Sequence, residues 1–457
     1  MSGPGSSITR ALSRAHPAVF TAYAVVAAFL TYFCMYAFRK PFTVATYDGS
    51  LGLPWGAELD HKTVLLISQV FGYTLSKFLG IKVISEMKPH RRAVTLVGAI
   101  VFAHLALLGF AVTPRPWSAF WLFLNGVPLG MVWGLTFGFL EGRKVSEVLG
   151  VGLSASYIVA SGYVKSVGRA VMSGTYEGSF FGIELSIDMG WLGGWSEAWM
   201  PFVTGLLFLP ILVGSVVLLY LLPPPTDEDR AARTERVPMD AEARRRFFMA
   251  YLPGLLPLTA LYVLLTAYRD FRDNFARELW DALGYGGTPT IYATSETWVA
   301  FGVMLALGVL MVIRSNRRAL MAVHLVMMGG TIAVGVSTAL YQAGTLSGET
   351  WMITVGLGLY LAYVPYGCIL FDRLIAAVGV TATAGFLIYV TDAFGYLGSV
   401  ALMLYKDLGT PDLSWLEFFV GFSYVTSFLC TLLFAVSMLY FSRATATHEA
   451  AQAEGVA

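Results

Sequence analysis

The chain has 457 residues, of which 56% are hydrophobic and 13% charged, and its mean hydropathy is +0.66. A soluble domain carries roughly 25% charged residues. Half that share cannot clothe a water-soluble globule of this size, and so apolar a chain is neither disordered nor collagen-like nor a disulfide scaffold. A net charge of +1 offers no field to nucleic acid, and Cys34, Cys368 and Cys430 lie far apart inside apolar runs, forming neither a CxxC pair nor a cysteine-rich metal site.

A bilayer core about 30 Å thick takes roughly 20 apolar residues per helix. Twelve such runs follow one another, at 17–42, 62–86, 93–113, 117–141, 147–171, 199–222, 248–273, 290–313, 318–343, 350–374, 377–404 and 414–442. The first, Pro17 to Phe38, is too long for a signal-peptide core and no A-x-A-like site follows it, so it is expected to remain as span 1. Span 1 closes on Phe38-Arg39-Lys40-Pro41-Phe42, and the uncharged stretch from Pro41 to Tyr47 is long enough to extend the helix by two turns. Tyr32, Tyr36 and Arg39 fall on one face of it. Span 2 places Lys77 near its middle, in FGYTLSKFLG. Span 4 carries Gly126, Gly130, Gly134, Gly138 and Gly142 at strict four-residue spacing, a bare stripe that lets a neighbouring backbone approach closely, with Pro128 and Trp133 shaping the packing. Span 5 sets Lys165 and Arg169 on a shared face.

The stretch from Pro223 to Arg246 opens with three prolines and continues DEDRAARTERVPMDAEARRR, a charged linker expected to be helical near 240–248. Span 7 then ends in Phe271-Arg272-Asp273-Asn274-Phe275, so the FRxxF of span 1 recurs at the corresponding place in the second half. The organisation is therefore an all-α membrane protein of two pseudo-symmetric six-helix bundles: an N-terminal bundle at 1–222, a cytoplasmic linker at 223–247 and a C-terminal bundle at 248–457. Arg269 and Arg272 share a helix face, with Asp273 four residues from Arg269 and Tyr268 four from Arg272. Asp392 lies near the middle of span 11.

Counting Lys and Arg on alternate sides gives nineteen with the termini and four opposite, namely Lys62, Arg115, Arg277 and Lys406. That asymmetry puts both termini in the cytoplasm. Seven cations are left within the spans: Arg39, Lys40, Lys77, Lys165, Arg169, Arg269 and Arg272. The carboxylates counted there are three, Asp270, Asp273 and Asp392. A charge at mid-bilayer costs at least ~2.5 kcal/mol on the insertion scale and normally faces a cavity or a partner. Three carboxylates cannot neutralise seven cations, and the surplus asks for an anion or for water. The bland readings are snorkelling of Arg39, Lys40 and Arg169 to an interface, and an Arg269–Asp273 salt bridge. Asp392 serves as a salt-bridge partner, a proton carrier or a substrate ligand.

Twelve spans in two halves joined by a cytoplasmic loop resemble the major facilitator superfamily. Within it, MYAFRKPF at the end of span 1 and GYTLSKFLG in span 2 resemble the Y-x-x-R-K-x-F and G-x-S-K-F-x-x-G stretches of the organophosphate:phosphate antiporters, and GMVWG in span 4 is similar to their G-M-G-W-P. The resemblance implies that Arg39 and a span 7 arginine, Arg272 by the FRxxF repeat or else Arg269, hold a phosphate with Lys77 nearby. Two departures stand out. The family's span 5 histidine falls near Val159, with Lys165 a turn and a half later, and the loop between spans 2 and 3 reads GIKVISEMKPHRR, with Glu86 for the family's aspartate but Met87 for its arginine.

The expected protein is a secondary active transporter of a small organic or phosphorylated anion, by exchange against phosphate or coupled to protons. It acts as a monomer in a bacterial inner membrane and needs no cofactor or metal. The expected substrate ligands are Arg39, Lys77, Arg272, Arg269, Lys165 and Tyr36, with Asp392 for coupling or a salt bridge. The rivals are a proton-coupled carrier of a neutral solute and a membrane scaffold or enzyme. Against an enzyme, the six histidines are scattered, only His104 and His324 fall within spans, where packing is their ordinary role, and no Walker A sequence is present.

Overall fold

The computed structural model describes residues 7–455 except 55, 86, 141–142, 144, 181–182, 228, 230–240 and 380–383. Glu86, Gly142, Lys144 and most of the linker therefore lie outside the described residues.

Helices dominate because lipid offers no partner to a free N–H or C=O, so each spanning segment must satisfy its own backbone. Ten described helices are long and apolar enough to cross a membrane. The two remaining predicted spans are also helical, α3 (His61–Ser85) and α16 (Ala384–Leu404). The chain is an integral multi-pass membrane protein. The linker's expected helix is α9 (Ala241–Ala250).

Helix α2 (Pro17–Met35) stops earlier than predicted. Beyond it the chain runs through two 3-10 turns, Tyr36–Phe38 and Pro41–Val44, instead of two more α-turns. Pro41 supplies the reason: its ring collides with the carbonyl four residues back, and it restricts the residue before it. Span 4 is likewise divided, into α5 (Ser118–Leu129) and α6 (Val132–Leu140), just after Pro128. Two connections that the sequence did not mark as extended form antiparallel hairpins: β1 (Ser50–Gly52) with β2 (Glu58–Asp60), and β3 (Thr175–Phe180) with β4 (Ile183–Asp188).

The chain clusters into two compact units. The first comprises Met1–Arg233, Arg272–Thr297 and Met403–Trp415; the second comprises Thr234–Phe271, Trp298–Leu402 and Leu416–Ala457. In the first unit α3 and α4 (Arg92–Val112) pack on α5, while α2 packs on α7 (Ser146–Ser173) and α8 (Met200–Tyr220). The glycine stripe makes the α3–α5 contact close: a Cβ added to Gly126 would lie 2.3 Å from the Gln69 carbonyl oxygen, and one at Gly130 would lie 2.6 Å from Ser76 Cβ. In the second unit α13 (Asn316–Gln342) packs on α14 (Gly348–Cys368) and on α15 (Leu370–Val378).

The first unit contains an aromatic and cationic stack. Phe275 stacks on Trp415 at 3.9 Å, Lys406 Nζ lies 4.6 Å from the Trp415 ring centroid, and Lys62, paired with Glu278, lies 5.7 Å from that of Phe275. Beside it the Asp60 N–H donates to Asp407 Oδ2 at 3.2 Å, and the Lys62 N–H to Asp60 Oδ1 at 3.3 Å. Burial raises both carboxyls above the usual range, and the neighbouring Asp407 raises Asp60 further. A carboxyl raised by folding holds its proton more tightly in the folded state. The stabilisation is therefore present at acid pH and is lost as pH rises through the raised value. Asp60→Asn with Asp407→Asn is expected to flatten the fall of thermal stability between acid and neutral pH; an unaltered pH profile of Tm would refute it.

Candidate functional site

The first unit gathers most of the buried cations. Arg39 follows the break in span 1 and is 4% exposed; its guanidinium carbon lies 3.9 Å from the centroid of the Tyr73 ring. Lys77, one turn along α3 from Tyr73, places Nζ 5.3 Å from the same ring. One aromatic ring thus carries two cations that lie 38 positions apart in the sequence. The irregular backbone there needs donors, and two residues that sequence reasoning passed over supply them. Asn125 donates to the carbonyls of Phe38 (3.0 Å) and Ala103 (2.9 Å); Gln69 donates to that of Arg39 (3.1 Å) and to Asn125 Oδ1 (2.8 Å). The available signal was an amide in the middle of each of two apolar runs.

Beside this segment, Asp273 receives both Lys40 and Lys165. Lys40 Nζ pairs with Oδ2, while Lys165 Nζ pairs with Oδ1 and also donates to the Asp273 carbonyl. Ser161 donates to Oδ1, and Lys40 donates to Asn274 Oδ1 at 2.8 Å. The Arg269–Asp273 bridge suggested by helical spacing is therefore not the one formed, because lysines from other helices reach that carboxylate. Arg272 Nη1 meets Glu296 Oε1 at 2.7 Å, and Arg169 donates to the Gly286 carbonyl at 3.1 Å. Glu296 corrects the count: it lies inside α12 (Ile291–Met311), a carboxylate within the spans that the count of three omitted. In this unit Asp273 thus receives Lys40 and Lys165, and Glu296 receives Arg272.

The second unit holds a charged cluster of its own. Arg269, on α10 (Leu252–Asn274), binds Asp270 Oδ1 through Nε (3.1 Å) and Nη2 (2.7 Å), and Ser399 donates to Asp270 Oδ2 at 2.8 Å. Arg269 Nη1 donates to the Tyr363 hydroxyl, with its guanidinium carbon 4.5 Å from that ring's centroid. The Tyr363 hydroxyl lies 2.9 Å from that of Tyr262, which donates to Asp392 Oδ1. In the sequence nothing separates Tyr262 and Tyr363 from the other tyrosines among the twenty-three.

Of the remaining candidates, Tyr36 is buried edge-on against Tyr32 at 5.7 Å, and Tyr268 lies 2.6 Å from Ser423 Oγ and stacks on Phe419 at 5.0 Å. The two span histidines are packing residues: His104 stacks on Phe202 at 4.4 Å, and His324 contacts the Leu320 carbonyl at 2.8 Å.

The same architecture recurs in solved structures. The D-xylose–proton symporter is 14% identical with a TM-score of 0.56, covering 92% of this chain and 96% of that one. The nucleoside transporter NupG is 14% identical with a TM-score of 0.56, covering 91% and 98%. A bacterial homologue of the human lysosomal transporter Spinster, in an inward-facing and unoccupied conformation, is 11% identical with a TM-score of 0.58, covering 95% and 99%. At such identity what is shared is the fold, and it is that of the major facilitator superfamily. No curated protein matches the chain in sequence. The chain belongs to the family of unknown function DUF5690, whose pattern it matches over residues 41–444.

Proposed function

We propose that this protein is a secondary transporter that carries a small organic or phosphorylated anion by alternating access. The supporting observation is the gathering of cations in the first unit, with Arg39 and Lys77 on one aromatic ring, Tyr73. A guanidinium offers forked donors that match phosphate or carboxylate bidentately, and Lys77 adds a point charge beside it. Lys40 and Lys165 share one carboxylate, so an incoming anion competes with Asp273 for them. Occupancy thereby loosens the hold of Asp273 on the first-half helices, and departure restores it. The likeness of MYAFRKPF and GYTLSKFLG to the organophosphate:phosphate antiporters supports a phosphate-type ligand, and the transporters that share this fold support carriage over catalysis. The distribution of Lys and Arg supports cytoplasmic termini, and nothing in the mechanism requires more than one copy.

The test is uptake of labelled phosphate, a phosphosugar and a dicarboxylate into proteoliposomes. One of them is expected to accumulate, with Arg39→Gln and Lys77→Met each lowering the rate at least about tenfold, as loss of a charged contact worth 1.5–3 kcal/mol requires. Transport of none, or uptake indifferent to both substitutions, sinks the anion reading. The carboxylate partners of Lys40, Lys165, Arg269 and Arg272 favour one rival, a carrier of a neutral solute; sugar or nucleoside uptake indifferent to Arg39→Gln would establish it.

A further inference from the structure

We propose that the connection between α7 and α8 carries a lipid-binding strap, residues 187–199, which lies on the membrane surface with Trp191 and Trp195 in the headgroup layer. The inference goes beyond the transport reading and holds whatever solute is carried.

The strap reads IDMGWLGGWSEAW, with three tryptophans, two carboxylates and no Lys or Arg. Both carboxylates are engaged within the protein. Asp188 Oδ1 accepts the Gly190 N–H at 2.8 Å, and Glu197 accepts the N–H groups of Thr46 (3.1 Å) and Tyr47 (3.2 Å). The backbone is fixed to the end of α7. That helix closes on Gly174, which takes the left-handed φ of +81°. The Met189 N–H donates to the Gly174 carbonyl at 2.8 Å, the Gly194 N–H to that of Met172 at 3.2 Å and the Trp195 N–H to that of Val171 at 3.4 Å. The Val171 and Met172 carbonyls are among those that a helix end leaves unpaired, so the strap completes α7. A Cβ added at Gly193 would lie 2.1 Å from Gly174 Cα, so the two backbones are already in contact.

On this fixed frame Trp191 is 83% exposed and Trp195 41%, and Ile187 is exposed as well. Two indoles held outward in water forgo the gain from burying their apolar area. Lipid is the occupant because the strap continues a face that already meets it. Helix α8 crosses the membrane, and Leu206, Val213 and Val217 lie exposed along one side of it. Stepping back four, three and four residues from Leu206 reaches Phe202, Trp199 and Trp195, whose rings follow one another at 6.1 and 6.2 Å. Trp191 stands four further back. Trp117, 73% exposed, precedes α5 on the same membrane face, since α5 and α8 both begin there. An indole has an apolar body and one N–H donor, which suits it to the headgroup layer. With no cation in the strap, the contact needs apolar and carbonyl groups of the lipid and not a negative headgroup. The strap thereby holds the end of α7, the helix of Lys165, at the depth of the membrane surface.

The experiment is tryptophan fluorescence of the purified full-length protein in phosphatidylcholine nanodiscs, with and without bromine on the upper acyl chain. The Trp191 component is the difference between the wild type and Trp191→Phe, a substitution at an exposed ring. It should be quenched by the brominated lipid, emit to the blue of indole in water and resist aqueous iodide. Replacing part of the phosphatidylcholine by phosphatidylglycerol should change none of this. Gly193→Val, which forces the strap away from α7, should shift the component to the red and open it to iodide; should that variant not fold, the Trp191 difference alone decides. A component quenched by iodide and untouched by bromine overturns the proposal and leaves the strap to water or a soluble partner. One quenched by neither, in a protein whose dimer is dissolved by Trp191→Arg, overturns it in favour of a second copy of the chain. Bromine quenching that requires phosphatidylglycerol overturns the charge-independent contact argued here.

Discussion

Asp273→Ala is expected to lower stability by about 3–5 kcal/mol, the cost of removing one partner from a buried ion pair and stranding its counter-charge. Two cations are stranded here. Lys40 and Lys165 are 4% and 2% exposed, and both direct Nζ to this carboxylate. The lysine stems have little room to snorkel, since Lys165 lies mid-helix on α7 one turn after Gly162. A Cβ added at that glycine would come within 2.2 Å of the Tyr292 carbonyl, so the neighbouring backbone is already in contact. Asn274 Oδ1 and the Asp273 carbonyl remain as acceptors, but neither carries charge. The thermal midpoint in detergent should fall accordingly. Replacing all three side chains, as Lys40→Met, Lys165→Met and Asp273→Leu, should recover most of the loss, because a buried charge group exchanged whole for apolar residues is often neutral or better. A midpoint unmoved by Asp273→Ala would mean that the triad does not hold this segment, and competition between substrate and Asp273 would lose its basis.

The second large effect is steric. Gly72→Val is expected to cost more than the roughly 1–3 kcal/mol typical of overpacking, because a Cβ there would lie 2.0 Å from the Phe123 carbonyl oxygen, and a backbone cannot swing aside as a side chain can. Helices α3 and α5 would have to part. Gln69 and Asn125 sit at that same crossing, so the donors to the Phe38 and Arg39 carbonyls would be displaced as well. Loss of thermal stability should therefore be accompanied by loss of anion uptake. Gly98→Ala is the matched control, since an added Cβ there meets nothing within 4 Å; it should leave the midpoint unchanged or raise it. Equal effects at Gly72 and Gly98 would show that the α3–α5 approach is looser than the geometry requires.

Several features were legible one segment at a time. The helical runs are apolar because each must pay its own transfer into lipid residue by residue, and the glycine stripe declares a close neighbour without saying which. Arg39 and Lys77 stand out for the same reason, as local exceptions to a local rule. Even the early end of α2 was signalled by Pro41, although the uncharged residues after it suggested continuation. Glu296 was miscounted because a carboxylate within two turns of a predicted boundary looks the same as one just outside it.

Partnership is of another kind. Nothing in the pattern around Asp273 distinguishes Arg269, four residues back, from Lys165, which is 108 residues away and nevertheless takes the carboxylate. Tyr262, Tyr363 and Asp392 come from three helices, and their hydrogen bonds exist only once those helices adjoin. Insertion free energy is a sum over neighbours along the chain, so the string of residues carries it. Charge pairing falls off with distance in space, and that distance is set by which helices lie side by side.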